Sequence, residues 1–328
     1  MQVDGRWLKH TLDFALSGGR LNLEDATALL EIPLGTEESR AIADAAHALA
    51  LRQSRQGRIW TAIGVDYCPC PQNCSFCSFG SDWGIVQDSH EWTEEQVVDA
   101  AARFAAEGAS WITIRTTQHY PLERVCSLAR AMRERIPNCP TLVANVGEMS
   151  LEQAEMLYDA GYSVAYHVFR LREGTDTGID AEERLRSLEN IRRSRLGLAF
   201  LAEPIGPEHT AAEIAREMVR ARDLGAVIMG AMARVPVPGT PKAHLGQIPE
   251  EKLARIIAVS RLIGGEVAQE ICAHPPSDAA VAAGANAVVV ETGAVPRDRE
   301  EIRKEWRGLT MPQAKQLLGR HYPSVAGA

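Results

Sequence analysis

The chain reads Tyr67-Cys68-Pro69-Cys70-Pro71-Gln72-Asn73-Cys74-Ser75-Phe76-Cys77-Ser78-Phe79-Gly80 in the stretch that decides its fold, and four of its seven cysteines lie there. Cys70, Cys74 and Cys77 follow the spacing C-x3-C-x2-C, so their thiolates can point into one small volume. Thiolates this close favour a soft metal or an iron–sulfur cluster, because bare thiolates repel one another. A [4Fe–4S] cluster usually has four cysteine ligands, so a triad leaves one iron open to bind another molecule.

Zinc is the alternative metal for this stretch. Structural zinc sites are four-coordinate and typically combine two short Cys or His pairs separated by a dozen or more residues. No second C-x2-C or H-x3-H pair follows the triad. Cys68 offers a fourth sulfur, but C-x-C-x3-C-x2-C is not a usual zinc ribbon. The spacing therefore favours an iron–sulfur cluster.

Composition limits the class of protein. The 328 residues are 45% hydrophobic, enough to bury one large α/β core or two smaller ones. The net charge is −8 and no Lys/Arg-rich run is present, which argues against nucleic acid as a partner. Neither a signal-peptide apolar region nor an 18-residue apolar run occurs, so no membrane contact is expected. An odd cysteine count with a clustered triad indicates the reducing cytoplasm.

Short apolar strands alternate with helices eight times along the chain, which predicts parallel strands with helices outside them. Thr93 and Gln96 form a capping-box pattern at the first of these helices, and Gly161 is a stop signal for the third. The predicted strands span residues 59–66, 111–116, 141–146, 163–171, 197–204, 226–233, 267–272 and 287–291.

Eight such units match an α/β fold of the (β/α)8 TIM-barrel type, in which active sites lie at the C-terminal ends of the strands. The cysteine stretch directly follows the first strand, where such a site is expected. A doubly wound sheet is the alternative, but no G-x-G-x-x-G follows any strand. Residues 1–57 are predicted to be a helical extension packed on the barrel, residues 58–297 the barrel, and residues 298–328 a C-terminal helical tail.

The triad with the aromatic Phe76 before its last cysteine resembles the signature of the radical S-adenosylmethionine (SAM) superfamily. From about residue 21 to about residue 297 the chain is similar to the branch with biotin synthase, the [FeFe]-hydrogenase maturase, methylornithine synthase and archaeal lipoyl synthases. The resemblance implies a [4Fe–4S] cluster whose open iron chelates the amino and carboxylate groups of SAM. SAM is then cleaved reductively to methionine and a 5′-deoxyadenosyl radical, which abstracts hydrogen from a small-molecule substrate in cofactor or metabolite biosynthesis. It also implies a reductant such as flavodoxin or ferredoxin.

Several alternatives stay open within this resemblance. The reaction is a rearrangement, a methylation or a sulfur insertion of the lipoyl synthase kind, so transferase, lyase and mutase are all candidates. The second cluster of biotin synthase uses cysteines on strands two, three and five and an arginine on strand seven, and at most one such ligand is kept here. Cys68-x5-Cys74-x2-Cys77 is a second way to form a triad, although C-x3-C-x2-C is the commoner one. A noncatalytic iron–sulfur or zinc protein that kept the fold is the alternative from another class.

The resemblance also implies which residues bind SAM. Arg184, in an E-R-L-x-x-L frame, is similar to an arginine that grips the SAM carboxylate. Glu173 resembles an acidic residue that binds the ribose or amine. Gln118 stands where relatives carry the acid of a G-G-E motif, so it is expected to contact the SAM amine. Ile205 and Gly206 lie in a degraded G-x-I-x-G-x-x-E motif and are expected to contact the adenine.

Substrate chemistry is expected on the opposite side of the barrel mouth. Cys272 and His274 end the seventh strand, where they are candidates to bind a second metal or cluster or to quench a substrate radical. His167 on the fourth strand is a further catalytic candidate, and period-two alternation places it on one face with Phe169. The other strand-end candidates are His119, Asn145, Arg234 and Glu291.

Overall fold

The structure is a computed structural model of the chain, and it describes residues 5–294 and 308–327. Three helices precede the first strand, and strands then alternate with helices. In chain order the elements are α1 (Gly5–Leu16), α2 (Leu23–Glu31), α3 (Glu37–Gln53), β1 (Gln56–Gly64), β2 (Asp66–Tyr67), β3 (His90–Glu91), α4 (Glu94–Ala106), β4 (Trp111–Arg115), α5 (Leu122–Arg135), β5 (Thr141–Asn145), α6 (Leu151–Ala160), β6 (Val164–Tyr166), α7 (Ala181–Arg193), β7 (Gly197–Ala199), β8 (Ala202–Ile205), α8 (Ala211–Asp223), β9 (Ile228–Ala233), α9 (Glu250–Gly264), β10 (Glu270–His274), α10 (Asp278–Ala282), β11 (Ala287–Gly293), α11 (Met311–Gly319) and β12 (Ser324–Val325).

The parallel strands close into a barrel. The ring runs β1, β4, β5, β6, β7 with β8, β9, β10 and β11, and β11 pairs with β1 from Arg58↔Ala287 to Gly64↔Gly293. β7 and β8 together occupy the fifth position, because β7 joins β6 to β9 and β8 continues along β9. The prediction of a (β/α)8 barrel with helices at both ends of the chain is therefore confirmed.

Local sequence signals set the helix ends. Thr93 accepts from the backbone N–H of Gln96, whose side chain accepts from the Thr93 N–H, so the predicted capping box forms at the start of α4. Gly161 ends α6 with φ +116°, a left-handed conformation that favours glycine. These caps satisfy backbone groups at the helix ends and so fix where each helix turns back towards the barrel.

Several strands differ in extent from the sequence prediction, and two of these differences bear on the site. The fourth ends at Tyr166 rather than continuing to residue 171, and the fifth is interrupted at Phe200 and Leu201. Because the regular alternation stops at Tyr166, His167 and Phe169 do not share a face. His167 lines the central cavity, whereas the Phe169 ring packs outside it, with the Arg220 guanidinium 4.5 Å from its centroid. A period-two prediction holds only while a strand continues.

The N-terminal helices pack on the outer helices of the barrel, α2 against α8 and α3 against α9. At the other end of the chain, β12 pairs with the start of β1 through Gln56↔Ser324 and Gly57↔Val325. β1 begins at Gln56, and residues 295–307 lie outside the described part, so the boundaries at 57 and 297 both stay predictions. In the described ranges no helix is long and apolar enough to cross a bilayer.

Arg255 of α9 joins the N-terminal helices to the barrel. It is 5% exposed, and its Nη1 donates to the carbonyls of Leu29 and Ile32, both at 2.9 Å. Arg255→Met leaves those buried carbonyls without this donor, and we expect the free energy of unfolding to fall by about 2–4 kcal/mol. Urea unfolding measures the change. Arg40→Met, at an exposed position on α3, is the matched control and should change stability by less than about 0.5 kcal/mol.

Candidate active site

The cysteine loop leaves the C-terminal end of the first barrel strand and is folded tightly on itself. The Cys70 N–H donates to the Phe79 carbonyl at 2.6 Å, and the Ser81 N–H donates back to the Cys70 carbonyl at 3.0 Å. Inside this closure the Cys77 N–H donates to the Cys74 carbonyl at 2.9 Å. Backbone hydrogen bonds therefore hold the three cysteines within one compact loop.

Neighbouring loops hold the outer side of the cysteine loop. The Gly178 N–H donates to the Gln72 carbonyl at 2.8 Å, and a Cβ on Gly178 would lie 2.2 Å from that oxygen, so only glycine fits there. The Ser75 N–H donates to the Asp176 carbonyl at 2.8 Å, and the Lys242 N–H donates to the Ser75 carbonyl at 3.1 Å. The loops after β6 and β9 thus position the cysteines.

A cavity of about 320 Å³ opens at the C-terminal ends of the strands, and Cys70, Cys74 and Cys77 all line it. Aromatic side chains lie at its floor: Trp60 donates to the Thr113 hydroxyl, and its ring meets that of Tyr166 edge-on at 5.6 Å. The polar side chains that line the cavity include Gln118, Asn145, His167, Arg184, His274 and Glu291.

Burial makes the thiols of Cys70 and Cys74 poor acids unless a metal binds them. It raises the pKa of Cys74 to about 11, although the nearby Arg170 charge opposes the rise, and it also raises the pKa of Cys70. A bound cluster replaces the thiol protons with iron, so the donor set suits a metal centre better than free thiolates.

The separation of the sulfurs fits a cluster better than one metal ion. The three Sγ atoms do not all lie within 4.8 Å of one another, a test that covers the described residues. Tetrahedral zinc with Zn–S bonds near 2.3 Å holds its sulfurs about 3.8 Å apart, whereas the thiolates of a cubane bind separate irons and stand further apart. The triad is therefore not at the spacing of a single zinc ion, and it offers three protein sulfurs at the cavity.

Cys68 takes a different direction from the triad. Its Sγ lies 3.8 Å from the Thr117 hydroxyl, and Cys68 is not among the residues that line the cavity. Thr117 is itself held by Asp66, whose Oδ1 accepts from the Thr117 N–H at 2.8 Å. This geometry favours the triad Cys70, Cys74 and Cys77 over the alternative that uses Cys68.

Arg184 lies at the centre of a buried ionic network on the cavity wall. Its side chain is 3% exposed, with Nη2 2.9 Å from Glu148 Oε1 and Nε 3.4 Å from Glu173 Oε2. Nη1 donates to the His167 ring, 3.0 Å from Nε2. Burial and then the Arg184 charge hold the pKa of His167 well below its usual value, so the imidazole is a neutral acceptor. Neither carboxylate contact is aligned as a hydrogen bond, so Nε–H and Nη2–H of Arg184, a residue that lines the cavity, have no hydrogen-bond acceptor among the described residues.

Arg170, which sequence reasoning did not single out, lies between two buried carboxylates and the cluster loop. Its guanidinium is 3.9 Å from both Glu173 and Glu203. Although burial lowers the pKa of Arg170, the charges of Glu203 and Glu173 and the nearby Cys74 raise it above its usual value. A permanent cation beside Cys74 lowers the electrostatic cost of an anionic cluster. The available sequence signal was a basic residue near the end of the predicted fourth strand.

Glu148 and Glu203 were also missed as members of the site. Glu203 is buried, accepts from the Tyr166 hydroxyl, and has a pKa raised by burial. Glu148 follows the third barrel strand and reaches both Arg184 and Gln118. Its signal in the sequence was a carboxylate just beyond a strand end, but only the barrel shows which arginine it meets.

Several predicted site residues do not line the cavity. Glu173 is fully buried behind Arg184, where its Oε2 accepts from the Arg170 N–H at 3.0 Å. Ile205 and Gly206 also lie behind the wall, which is formed at this strand by Glu203 and Pro204. The structure therefore brings Gln118 and Arg184 to the cavity but not the expected adenine contacts, whose role stays a prediction.

Cys272 and His274 also differ in whether they line the cavity. His274 lines the cavity, whereas Cys272 is fully buried below it, and burial raises the pKa of its thiol. In the described part of the chain Cys272 has no pair of further ligand atoms close enough for a three-ligand metal site. A second metal or cluster at Cys272 has no support from this geometry. Of the other strand-end candidates, Asn145, Arg234 and Glu291 line the cavity and His119 does not.

Lys242, in the loop after β9, forms ion pairs with carboxylates of two other loops at the site. Lys242 Nζ contacts the carboxylate of Asp176 and lies 3.4 Å from Glu208 Oε1. Arg234 makes two hydrogen bonds to Glu208, of 2.5 and 3.0 Å. Burial raises the pKa of Glu208, but these hydrogen bonds outweigh it and bring the pKa to about 2. Asp176, Glu208 and the neighbouring His209 also form a potential metal-ligand set, but Lys242 and Arg234 already balance its charge.

Lys242→Met is expected to loosen the cysteine loop. The variant removes the ammonium partner of Asp176, and the backbone carbonyl of Asp176 is what accepts from Ser75 of the cysteine loop. We expect the cluster to be lost several times faster on exposure to a chelator, since the loop then opens more often. The decay of the cluster absorbance measures the rate. The exposed Lys9→Met is the control, and an equal rate for both variants would show that the Lys242 contact does not stabilise the loop.

A closed (β/α)8 barrel whose mouth carries an open three-cysteine site has the architecture of an iron–sulfur barrel enzyme. No protein-family model matches the chain. Biotin synthase from Oleidesulfovibrio alaskensis is 26% identical over 321 residues, covering 93% of this chain and 88% of that protein. The crystal structure of HydG, a maturase of the [FeFe]-hydrogenase, superposes with a TM-score of 0.81 at 12% identity, covering 98% of this chain and 77% of that one. Methylornithine synthase (PylB) gives 0.80 at 15%, covering 94% and 95%.

At these identities the two solved structures establish a shared fold. The biotin synthase relatives, this shared fold and the cysteine triad agree with the sequence resemblance to the radical SAM superfamily, in the branch that contains biotin synthase. The sequence resemblance to this family is therefore confirmed, and with it the [4Fe–4S] cluster and SAM as its cofactors.

Proposed function

We propose that the protein uses SAM and a [4Fe–4S] cluster to abstract a hydrogen atom from a small molecule in cofactor or metabolite biosynthesis. The observation that carries this proposal is that Cys70, Cys74, Cys77 and Arg184 all line one cavity at the C-terminal ends of the barrel strands. With SAM bound, the cluster supplies the electron that splits SAM into methionine and the hydrogen-abstracting 5′-deoxyadenosyl radical.

The chain's own residues bind and orient the two molecules. The donors of Arg184 suit the carboxylate of SAM, since a guanidinium fork matches a carboxylate. Gln118, on the same wall, suits the amino group. The floor presents no open polar group from Trp60 or Tyr166, because each donates to a partner, so it excludes water from the reacting atoms.

The proposed substrate side of the mouth is formed by β9, β10 and β11. It offers His274 and Glu291 for polar groups and Val289 and Met232 for apolar ones. SAM shares the 320 Å³ cavity, so the substrate is small.

The cysteine positions bear on the type of reaction. All seven cysteines lie in the described ranges, and those on the cavity are Cys70, Cys74 and Cys77, which the first cluster uses. Cys139 and Cys272 lie away from the cavity. A second cluster of the biotin synthase type therefore has no cysteine ligand there, and we propose a reaction that does not take sulfur from such a cluster.

The reductant is proposed to be a small electron carrier of the flavodoxin or ferredoxin kind, and the reducing cytoplasm is the proposed location because it keeps seven cysteines free. The deciding experiment is to incubate anaerobically reconstituted protein with SAM and dithionite. We expect 5′-deoxyadenosine and methionine in equal amounts. A protein that is loaded with the cluster and forms neither product would overturn the proposed function.

A further inference from the structure

In the proposed function the uncharged Gln118 faces the positively charged amino group of SAM. An ammonium group needs an acceptor, and a glutamine amide presents either its carbonyl oxygen or its NH2 group, depending on which way it is turned. Gln118 on the cavity wall therefore suits an ammonium only if something fixes the amide with the oxygen towards the cavity.

Glu148 supplies that constraint from behind the wall. Its side chain is 12% exposed and does not line the cavity. One carboxylate oxygen, Oε2, accepts from Gln118 Nε2, and the other, Oε1, lies 2.9 Å from Arg184 Nη2. A carboxylate only accepts hydrogen bonds, so the NH2 group of Gln118 must turn towards Glu148 and its carbonyl oxygen away from it.

The backbone is shaped for this contact. A Cβ on Gly147 would lie 2.3 Å from the Gln118 carbonyl and 3.1 Å from its Nε2, so only glycine allows the two loops to approach. Gly147 and Glu148 follow the third barrel strand, and Gln118 follows the second. A negative charge is thus present one strand away from the position where relatives carry the acid.

We propose that Glu148 is a positioning residue, which turns the Gln118 amide so that its oxygen accepts from the ammonium group of SAM. The inference rests on the proposed function. In Glu148→Gln, the new amide turns its oxygen to Arg184 and its NH2 to Gln118. Gln118 then flips, and its own NH2 faces the ammonium. In the double variant Gln118→Glu/Glu148→Gln, the amide oxygen at position 148 still lies beside Arg184, and the amide NH2 donates to the new carboxylate at position 118, whose second oxygen faces the ammonium.

The test is calorimetric binding to the reconstituted protein without reductant, so that no turnover occurs. The ligands are SAM and its analogue that lacks the α-amino group. We expect Glu148→Gln to weaken SAM binding about 10- to 100-fold and analogue binding less than about threefold, and the double variant to restore SAM binding to within about threefold of wild type. The exposed Glu152→Gln is the control, and iron content confirms that each variant is loaded.

The outcomes separate the two levels of the proposal. Equal weakening of SAM and the analogue by Glu148→Gln would overturn the positioning role, because Glu148 would then act only as the counter-ion of Arg184. Failure of the double variant to recover would overturn it as well. If wild type itself does not bind SAM, the proposed function fails, and the inference fails with it.

Discussion

Cys70→Ala is expected to lose the [4Fe–4S] cluster and to form no 5′-deoxyadenosine above background, whereas Cys68→Ala keeps both. The reason is geometric: Cys70 lines the cavity with Cys74 and Cys77, while the Cys68 sulfur points to the Thr117 hydroxyl 3.8 Å away. Iron content per chain and 5′-deoxyadenosine formation are the measurements, with about four irons expected in wild type.

These two variants decide between the alternative triads, because each removes one of the cysteines that precede Cys74. They are matched in size and lie two residues apart in the same loop. A Cys70→Ala protein that keeps a full cluster and cleaves SAM, beside an inactive Cys68→Ala protein, would contradict the assignment of Cys70 and establish Cys68-x5-Cys74-x2-Cys77 as the ligand set.

The second large effect is expected from Arg184→Met. The change removes the cation that lies 2.9 Å from Glu148 and 3.4 Å from Glu173, and it leaves two carboxylates in a buried network with one arginine fewer. Removing one partner of a buried ion pair costs about 3–5 kcal/mol, so we expect a clear fall in the free energy of unfolding. We also expect SAM to bind at least about 100-fold more weakly, because a charge-assisted fork to its carboxylate is lost.

Arg186→Met is the matched control for this change. Arg186 lies on the same helix, but its side chain is 66% exposed and pairs with Glu182 at 3.8 Å. Exposed pairs contribute about 0–1 kcal/mol, so this variant should bind SAM as wild type does. Arg184→Lys separates charge from geometry, since a lysine keeps the charge without the fork. Wild-type SAM affinity in Arg184→Met would contradict the role of Arg184 in SAM binding.

Much of the fold follows from local sequence patterns. Short apolar runs, helix caps such as Thr93 with Gln96, and the glycine stop at Gly161 are encoded within a few residues, so the order of strands and helices is readable. The cysteine loop is equally local, because three ligands within eight positions form one motif. These features predicted the barrel and the place of the cluster after its first strand.

Contacts between side chains from different strands and loops could not be predicted from such local patterns. Gln118, Glu148, His167 and Arg184 are separated along the chain, and their meeting depends on barrel closure and on loop lengths rather than on any pattern. The prediction that His167 and Phe169 share a face was wrong because β6 ends at Tyr166, and alternation cannot show where a strand stops. The burial of Glu173, Ile205 and Cys272 behind the cavity wall also depends on barrel closure and loop lengths, so it could not be predicted from the sequence.

The most direct measurement is electron paramagnetic resonance of the dithionite-reduced, reconstituted protein with and without SAM. If Cys70, Cys74 and Cys77 hold a [4Fe–4S] cluster with one iron open, the signal of the reduced cluster changes when SAM is added. We expect that change in wild type and in Cys68→Ala. A cluster signal that SAM leaves unaltered, or a colourless protein that carries zinc in place of iron, would contradict an open iron at this site.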